Sequence, residues 1–243
     1  MLEFLSYRKP LGRGVWPKTP PTLSQDQLAA REKYMKLWHE ELPRKYGMIE
    51  AFNHGFVAKL PPKPGIKTLE IGAGLGSHLQ YEDLTLQEYH CLEYREEFCA
   101  EIRERLPPYQ VWCGDIHSSN VWPPQSFDRI IAIHVLEHLR DLPLALDRIQ
   151  SLLKKDGVLD IVIPCEGGLA HTLARKISAE RLFREHFKMD FTPIHLNEHV
   201  NSFGEIMELL SQSFRVETRR YFPLRIPFPN FNLCAGFRLT RLR

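Results

Sequence analysis

Thr68-Leu69-Glu70-Ile71-Gly72-Ala73-Gly74-Leu75-Gly76 is the stretch whose reading decides the fold. A β-prone apolar run, Thr68 to Ile71, passes straight into three glycines at alternate positions. Ser77-His78-Leu79-Gln80-Tyr81 follows as a helix-compatible segment. Glycine at such a turn accepts positive φ and lets a ligand approach the backbone where a Cβ would stand in the way. A strand that turns through glycines into a helix N-terminus is a nucleotide-binding device.

On either side the chain alternates between strand and helix patterns. Lys67 to Ile71 reads as a strand and Leu75 to Tyr81 as a helix; Tyr89 to Glu93 is a second strand. Glu96 to Leu106 is a helix stopped by Pro107-Pro108, and Tyr109 to Cys113 a third strand. Phe127 to Ile133 is a fourth, apolar enough to be buried on both faces. Leu142 to Leu153 is helical, with Gly157 expected to end it as a C-cap. Val158 to Ile163 is a fifth strand, halted by Pro164. Such alternation predicts βαβ units around a parallel sheet. Ser202, with Glu205 three residues on, predicts a capping box for a helix to Leu210. Phe214 to Tyr221 and Asn232 to Leu239 complete the strands.

Ahead of the sheet, residues up to about Pro21 read as an arm or loop. Ser24 is a plausible N-cap for a helix carrying Leu28, Tyr34, Leu37 and Trp38, interrupted by Pro43. Met48 to His54 forms another helix before the Pro61-Pro62-Lys63-Pro64-Gly65 entry to the main domain. The expected organisation is an N-terminal arm and helical extension over 1–64 and an α/β domain over 65–243, with an inserted cap at about 165–200.

The 243 residues are 43% hydrophobic and 26% charged, enough for a real core. A net charge of +2 gives no global field for nucleic acid or anionic membrane. The five cysteines are an odd set without a CxxC pair; Cys91 and Cys113 lie in strand patterns and read as reduced core thiols. The N-terminus does not resemble a signal peptide and no apolar run is long enough to span a bilayer, so a cytoplasmic protein is expected.

Two acids sharpen the glycine signal. Glu93 ends the second strand, where a carboxylate can accept from both ribose hydroxyls. Asp115 closes the third strand in Cys113-Gly114-Asp115-Ile116, where an acid can accept from an adenine amino group. An NAD dehydrogenase normally carries GxGxxG, and here the third glycine comes one residue early, at Gly76. A phosphate loop is excluded because no GK[ST] follows.

With Leu92-Glu93-Tyr94, Gly114-Asp115-Ile116, the Phe127–Leu139 stretch ending His134-Val135-Leu136-Glu137-His138-Leu139, and Leu153-Lys154-Lys155-Asp156-Gly157-Val158-Leu159, the chain resembles the class I S-adenosylmethionine (SAM)-dependent methyltransferases over about Thr68 to Pro164. The resemblance implies a Rossmann-like, mostly parallel seven-stranded α/β sheet of order 3-2-1-4-5-7-6, with only strand 7 antiparallel and helices on both faces. It implies SAM as cofactor and S-adenosylhomocysteine as product. Glu70 and the Gly72, Ala73, Gly74 and Gly76 backbone would hold the methionine part. Glu93 would take the ribose with Tyr94 beside it, Asp115 and Ile116 would frame the adenine, and His134 would line the pocket near the methyl group.

His134 to His138 also fits HxxEH, a zinc-protease pattern that needs both histidines on one helical face. Because His134 follows an apolar β run directly, strand geometry is expected to continue into it, and no metal is expected. The methyl acceptor is expected to be a small molecule, sugar or lipid-linked compound, with O-methylation favoured. No nucleic acid is expected, and at most peripheral membrane contact. His138, His195 and His199 are the candidate bases; Asn53-His54 is a further pocket candidate or a helix-end cap. Within Glu166 to Asn197, Leu173, Ile177, Leu182, Phe183 and Phe187 supply apolar surface and Arg175, Lys176, Arg181, Arg184 and Lys188 positive charge, as in an amphipathic lid over an acidic substrate or a membrane-surface helix. The alternatives from other classes are a non-catalytic SAM-binding partner protein and a nicotinamide-dependent oxidoreductase.

Overall fold

The computed structural model describes residues 14–45, 47–60, 64–118 and 120–242. Its strands are β1 (Ile66–Ile71), β2 (Gln87–Glu93), β3 (Val111–Cys113), β4 (Phe127–Ile133), β5 (Leu153–Pro164), β6 (Phe214–Phe222) and β7 (Cys234–Arg241). They form one sheet of order β3-β2-β1-β4-β5-β7-β6. The first five pair in parallel and β7 runs antiparallel to both neighbours, as the resemblance implies.

Period-2 alternation along the strands divides the core into two layers. Leu69, Ile71, Ile130, Ala132, Leu159, Ile161, Phe237 and Leu239 point to one layer. There they meet α4 (Leu142–Leu152) and α8 (Phe203–Ser213) through Ala145, Leu146, Ile149, Ile206 and Leu210. Tyr89, Cys91, Ile131, Val162 and Cys234 point the other way, onto Phe56 and Val57 of α2 (Gly47–Ala58) and Cys99 and Ile102 of α3 (Glu96–Arg103). Helices therefore cover both faces.

A third cluster lies off the sheet. Leu23, Ala30 and Tyr34, the latter two on α1 (Gln25–Lys45), pack on Phe183, Phe191 and Ile194. Those three come from the cap, which comprises α5 (Leu169–Arg175), a π-helical turn (Lys176–Glu180), α6 (Arg181–Phe187) and α7 (Thr192–Glu198).

Caps act where the sequence places them. Ser24 and Gln27 bond reciprocally at the head of α1, and Ser202 with Glu205 forms the predicted capping box of α8. Four expectations are corrected. Gly157 does not end α4; it lies inside β5, in a register slip opposite Phe127 and Arg129. A Cβ there would come within 3.2 Å of the Asp128 carbonyl and 3.0 Å of the Lys154 carbonyl, so the glycine answers crowding. Pro43 does not interrupt α1, which continues to Lys45, because a missing N–H in the last turn removes a single backbone bond. Cys113 is exposed on the edge strand β3, not a core thiol. Asn53 and His54 sit within α2; His54 Nδ1 lies 3.2 Å from His78 Nδ1 in a buried stack, a packing role and not a cap.

The described part of the arm is pinned. Lys18 Nζ makes a buried 2.6 Å ion pair with Glu205, and Trp16 Nε1 donates to Asn201 at 3.0 Å. Among the described residues, no helix is long and apolar enough to cross a membrane.

Arg129, wholly buried in β4, donates through Nε to Asp160 at 2.8 Å and through Nη1 to both oxygens of Glu82. Its Nη2 reaches the Val57 carbonyl of α2. Removing one member of a buried ion network strands the others. Arg129→Ala is expected to cost about 3–5 kcal/mol in urea unfolding; a loss under about 1 kcal/mol would show that the network is dispensable to stability.

Candidate active site

Five strand ends meet along one edge of the sheet. After β1 the chain turns through Gly72, Gly74 and Gly76, all at positive φ (66°, 56° and 68°), into a 3₁₀ turn, Ser77–Tyr81, shorter than the helix expected there. A Cβ on Gly72 would stand 2.5 Å from Val135, whereas nothing lies within 4 Å of the corresponding position on Gly74. The loop is thus clamped on one side and open on the other. Arg105 donates to the carbonyls of Leu75 and Gly76 and fixes its exit.

Glu93 ends β2, as read. Its Oε2 accepts the Gly74 N–H at 2.8 Å and its Oε1 the Arg95 N–H at 2.9 Å. Each carboxylate oxygen has two acceptor positions, so one on each stays available to a ligand. Tyr94 beside it is 74% exposed. Asp115 follows β3 and its Oδ1 takes both the N–H and Nδ1 of His117, a partner the sequence did not suggest. Ile116 is buried in the main core and leaves little side chain open to a ring. Glu70 is buried beneath the loop, its Oε2 accepting the Tyr89 hydroxyl at 2.9 Å. Burial raises its pKa to about 8, against the opposing pull of the Tyr89 hydroxyl.

At the end of β4 the strand stops at Ile133. His134 takes φ of +53°, a left-handed conformation rare without glycine, so strand geometry does not continue into it. A 3₁₀ turn, Leu136–His138, follows, and HxxEH does not lie on one face of an α-helix. His134 Nδ1 sits 3.1 Å from Glu137 Oε1. His134 Nε2 and Glu137 Oε2 are buried with no hydrogen-bond partner among the described residues. Asn201 binds the turn to the head of α8: its Nδ2 donates to the Leu136 and Leu139 carbonyls, and its N–H to that of Glu137.

After β5 comes Glu166, which the sequence reading used only to mark where the insertion begins. His195 and His199, one helical turn apart at the end of α7, both reach it. His195 Nε2 lies 3.2 Å from Oε1 and His199 Nδ1 3.0 Å from Oε2. Although burial pushes the Glu166 carboxyl up, its bonds to the two histidines outweigh this and hold it well below its usual range. Burial opposes charge on His199, but Glu166 prevails and raises its pKa. Burial lowers the pKa of His195. His138 packs edge-on against His199, ring centroids 4.8 Å apart, so all three candidate bases belong to one cluster.

The sheet order, the glycine turn and the acid at the end of β2 now stand together in space. Residues 69–159 match the family model described as "Methyltransferase domain". Over those residues the chain carries a methyltransferase domain, on the sheet order seen here. A TehB-like SAM-dependent methyltransferase from Corynebacterium glutamicum shares its fold, with TM-score 0.57 and 18% identity, covering 88% of this chain and all of that one. A SAM-dependent methyltransferase from Aquifex aeolicus does so with TM-score 0.56 and 15% identity, over 86% of this chain and 97% of that one. Among curated proteins, (S)-coclaurine N-methyltransferase from Papaver somniferum is 29% identical over 119 residues. The match takes in 45% of this chain and spans about a third (32%) of that relative.

The methyltransferase site fits its cofactor. The open approach at Gly74, the two remaining acceptor positions on Glu93 and the orphaned buried atoms of His134 and Glu137 all lie at the carboxyl ends of the strands, where an open α/β sheet binds its ligand. Glu93→Ala is expected to weaken S-adenosylhomocysteine binding in calorimetry by about 1–3 kcal/mol; an unchanged affinity would remove Glu93 from the cofactor site. For Glu70, the folded chain keeps a proton that the unfolded chain releases above pH 4.5. Its contribution to stability is full below pH 4.5 and falls as pH rises toward about 8. The melting temperature of Glu70→Gln is therefore expected to gain on that of the wild type across this window, and parallel curves would contradict the raised pKa.

Proposed function

We propose that the protein transfers the methyl group of SAM to a hydroxyl on a small-molecule, glycan- or lipid-linked acceptor seated beneath the cap. The observation that carries this reading is the state of His138. Its Nδ1 lies 2.8 Å from the Glu198 carbonyl, which can only accept, so Nδ1 bears the hydrogen and Nε2 keeps its lone pair. Burial lowers its pKa, against the pull of Glu137, and keeps the ring neutral near pH 7. A neutral imidazole with a free nitrogen at the acceptor side is suited to take a proton as a general base.

Bound SAM supplies a methyl group already activated by a sulfonium. The chain's own part is to align the acceptor, exclude water and remove its proton. The Gly72–Val135 contact places the donor loop against the turn that carries His138. Asn201 holds that turn and the arm covers it. A hydroxyl, unlike a neutral amine, is a poor nucleophile until its proton is removed, so a positioned base favours O-methylation. The curated relative's name specifies nitrogen, but a match over 45% of the chain carries no acceptor atom.

Leu169, Leu173 and Ile177 form an outward stripe on the cap, and Leu224, Phe228 and Phe231 are exposed on the segment between β6 and β7. Exposed apolar side chains at these positions support a lipid-linked acceptor within the proposed range. The test is a panel of hydroxylated, lipid-linked and amine acceptors read by S-adenosylhomocysteine release. Turnover of a hydroxyl acceptor is expected, with His138→Gln lowering kcat by about 10²–10⁴-fold and leaving SAM affinity within about twofold. Methylation of amines alone, or SAM binding without turnover of any acceptor, would refute the reading.

A further inference from the structure

We infer that Glu166, His195 and His199 form a binding site for a first-row divalent cation of the zinc type at the head of the cap. No metal is expected from the HxxEH pattern, and these three residues lie outside it. The ligating atoms of Glu166, His195 and His199 all lie within 4.8 Å of one another. They come from the residue two places past the end of β5, from α7 and from the residue that follows α7, so the fold brings them together from separate elements.

The spacing admits an ion in place of the protons that bridge these groups. Bonds of about 2.0–2.1 Å in a tetrahedral centre put neighbouring donor atoms about 3.3 Å apart. Glu166 Oε1 and His195 Nε2 are 3.2 Å apart, and Glu166 Oε2 and His199 Nδ1 are 3.0 Å apart. A second observation points to the same place. His171 Nδ1 lies 3.6 Å from Glu166 Oε2, buried and with no hydrogen-bond partner among the described residues. A buried ring nitrogen left unbonded is costly unless something fills the space before it.

Two imidazoles and one carboxylate are the donor set that open zinc sites use, leaving a fourth position for water or substrate. Imidazole selects borderline cations over magnesium or calcium. His138 packs edge-on against the ligand His199. A cation there would polarise the acceptor hydroxyl whose proton His138 takes. That role rests on the methyl-transfer reading; the site itself does not.

Glu96, Cys99 and Cys113 form a second group with metal-ligand spacing, on α3 and the edge strand β3, and serve as the internal control. The full chain, stripped with chelator and dialysed, is titrated with Zn²⁺ alone in a calorimeter, with S-adenosylhomocysteine binding measured on the same samples. One equivalent of zinc is expected. Glu166→Gln and His195→Ala should each weaken it by about 100-fold, and Cys113→Ser should leave it unchanged. No saturable zinc binding by protein that binds S-adenosylhomocysteine overturns the site. So does zinc binding lost in Cys113→Ser and kept in Glu166→Gln. Should a variant lose S-adenosylhomocysteine binding, X-ray absorption of the Co²⁺-loaded wild type decides: nitrogen and oxygen ligands support the site and sulfur ligands overturn it. Zinc bound as expected by a chain that binds no S-adenosylhomocysteine leaves the metal site standing and defeats the methyltransferase reading instead.

Discussion

Arg129 sets the geometry on which the donor site depends. A guanidinium without solvent must have its charge and its donors met within the protein. Asp160 on β5, Glu82 after the 3₁₀ turn and the Val57 carbonyl on α2 meet them, and Arg238 on β7 closes the group by bonding both oxygens of Asp160. Glu82 is thereby fixed, its carboxyl held down to about 2 by His78, Arg129 and Gln87 although burial opposes this. The glycine loop is stretched between two anchors, the end of β1 and Glu82. Its three glycines are left-handed, and the approach above Gly74 stays open.

The donor half was legible because its signals are local. Alternation of period two, glycines at fixed offsets and an acid at a strand end each occupy a few consecutive residues, and the structure returned the strands within a few residues of their expected bounds. Arg129 and Asp160 were not legible. Arg129 stands in a run that reads as buried on both faces, and its partners Asp160 and Glu82 lie 31 and 47 residues away in sequence. Gly157 was misread because its role comes from crowding by Asp128 and Lys154 and not from its own φ. The turn at His134 was hidden because the apolar run before it carries no stop signal.

The acceptor half was partly legible. His195 and His199 were legible as candidate bases after the fifth strand, but not the helix α7 that brings them together. Glu166 is 29 and 33 residues upstream of them, and only the return of the cap over the end of β5 makes it their common partner. Asn201 resembles an ordinary loop residue, yet its one side chain meets two carbonyls of the histidine turn and the indole of Trp16.

That last contact links parts that are far apart in the chain. Trp16 and Lys18 bind the head of α8, Lys18 N–H bonds the Arg140 carbonyl, and Asn201 binds the turn of His138. Arm, turn and the head of α8 therefore share one set of hydrogen bonds. Local openings in proteins follow such shared sets. Such a shared set should open as one cooperative unit, separately from the glycine loop, which is held by the sheet and by Arg105.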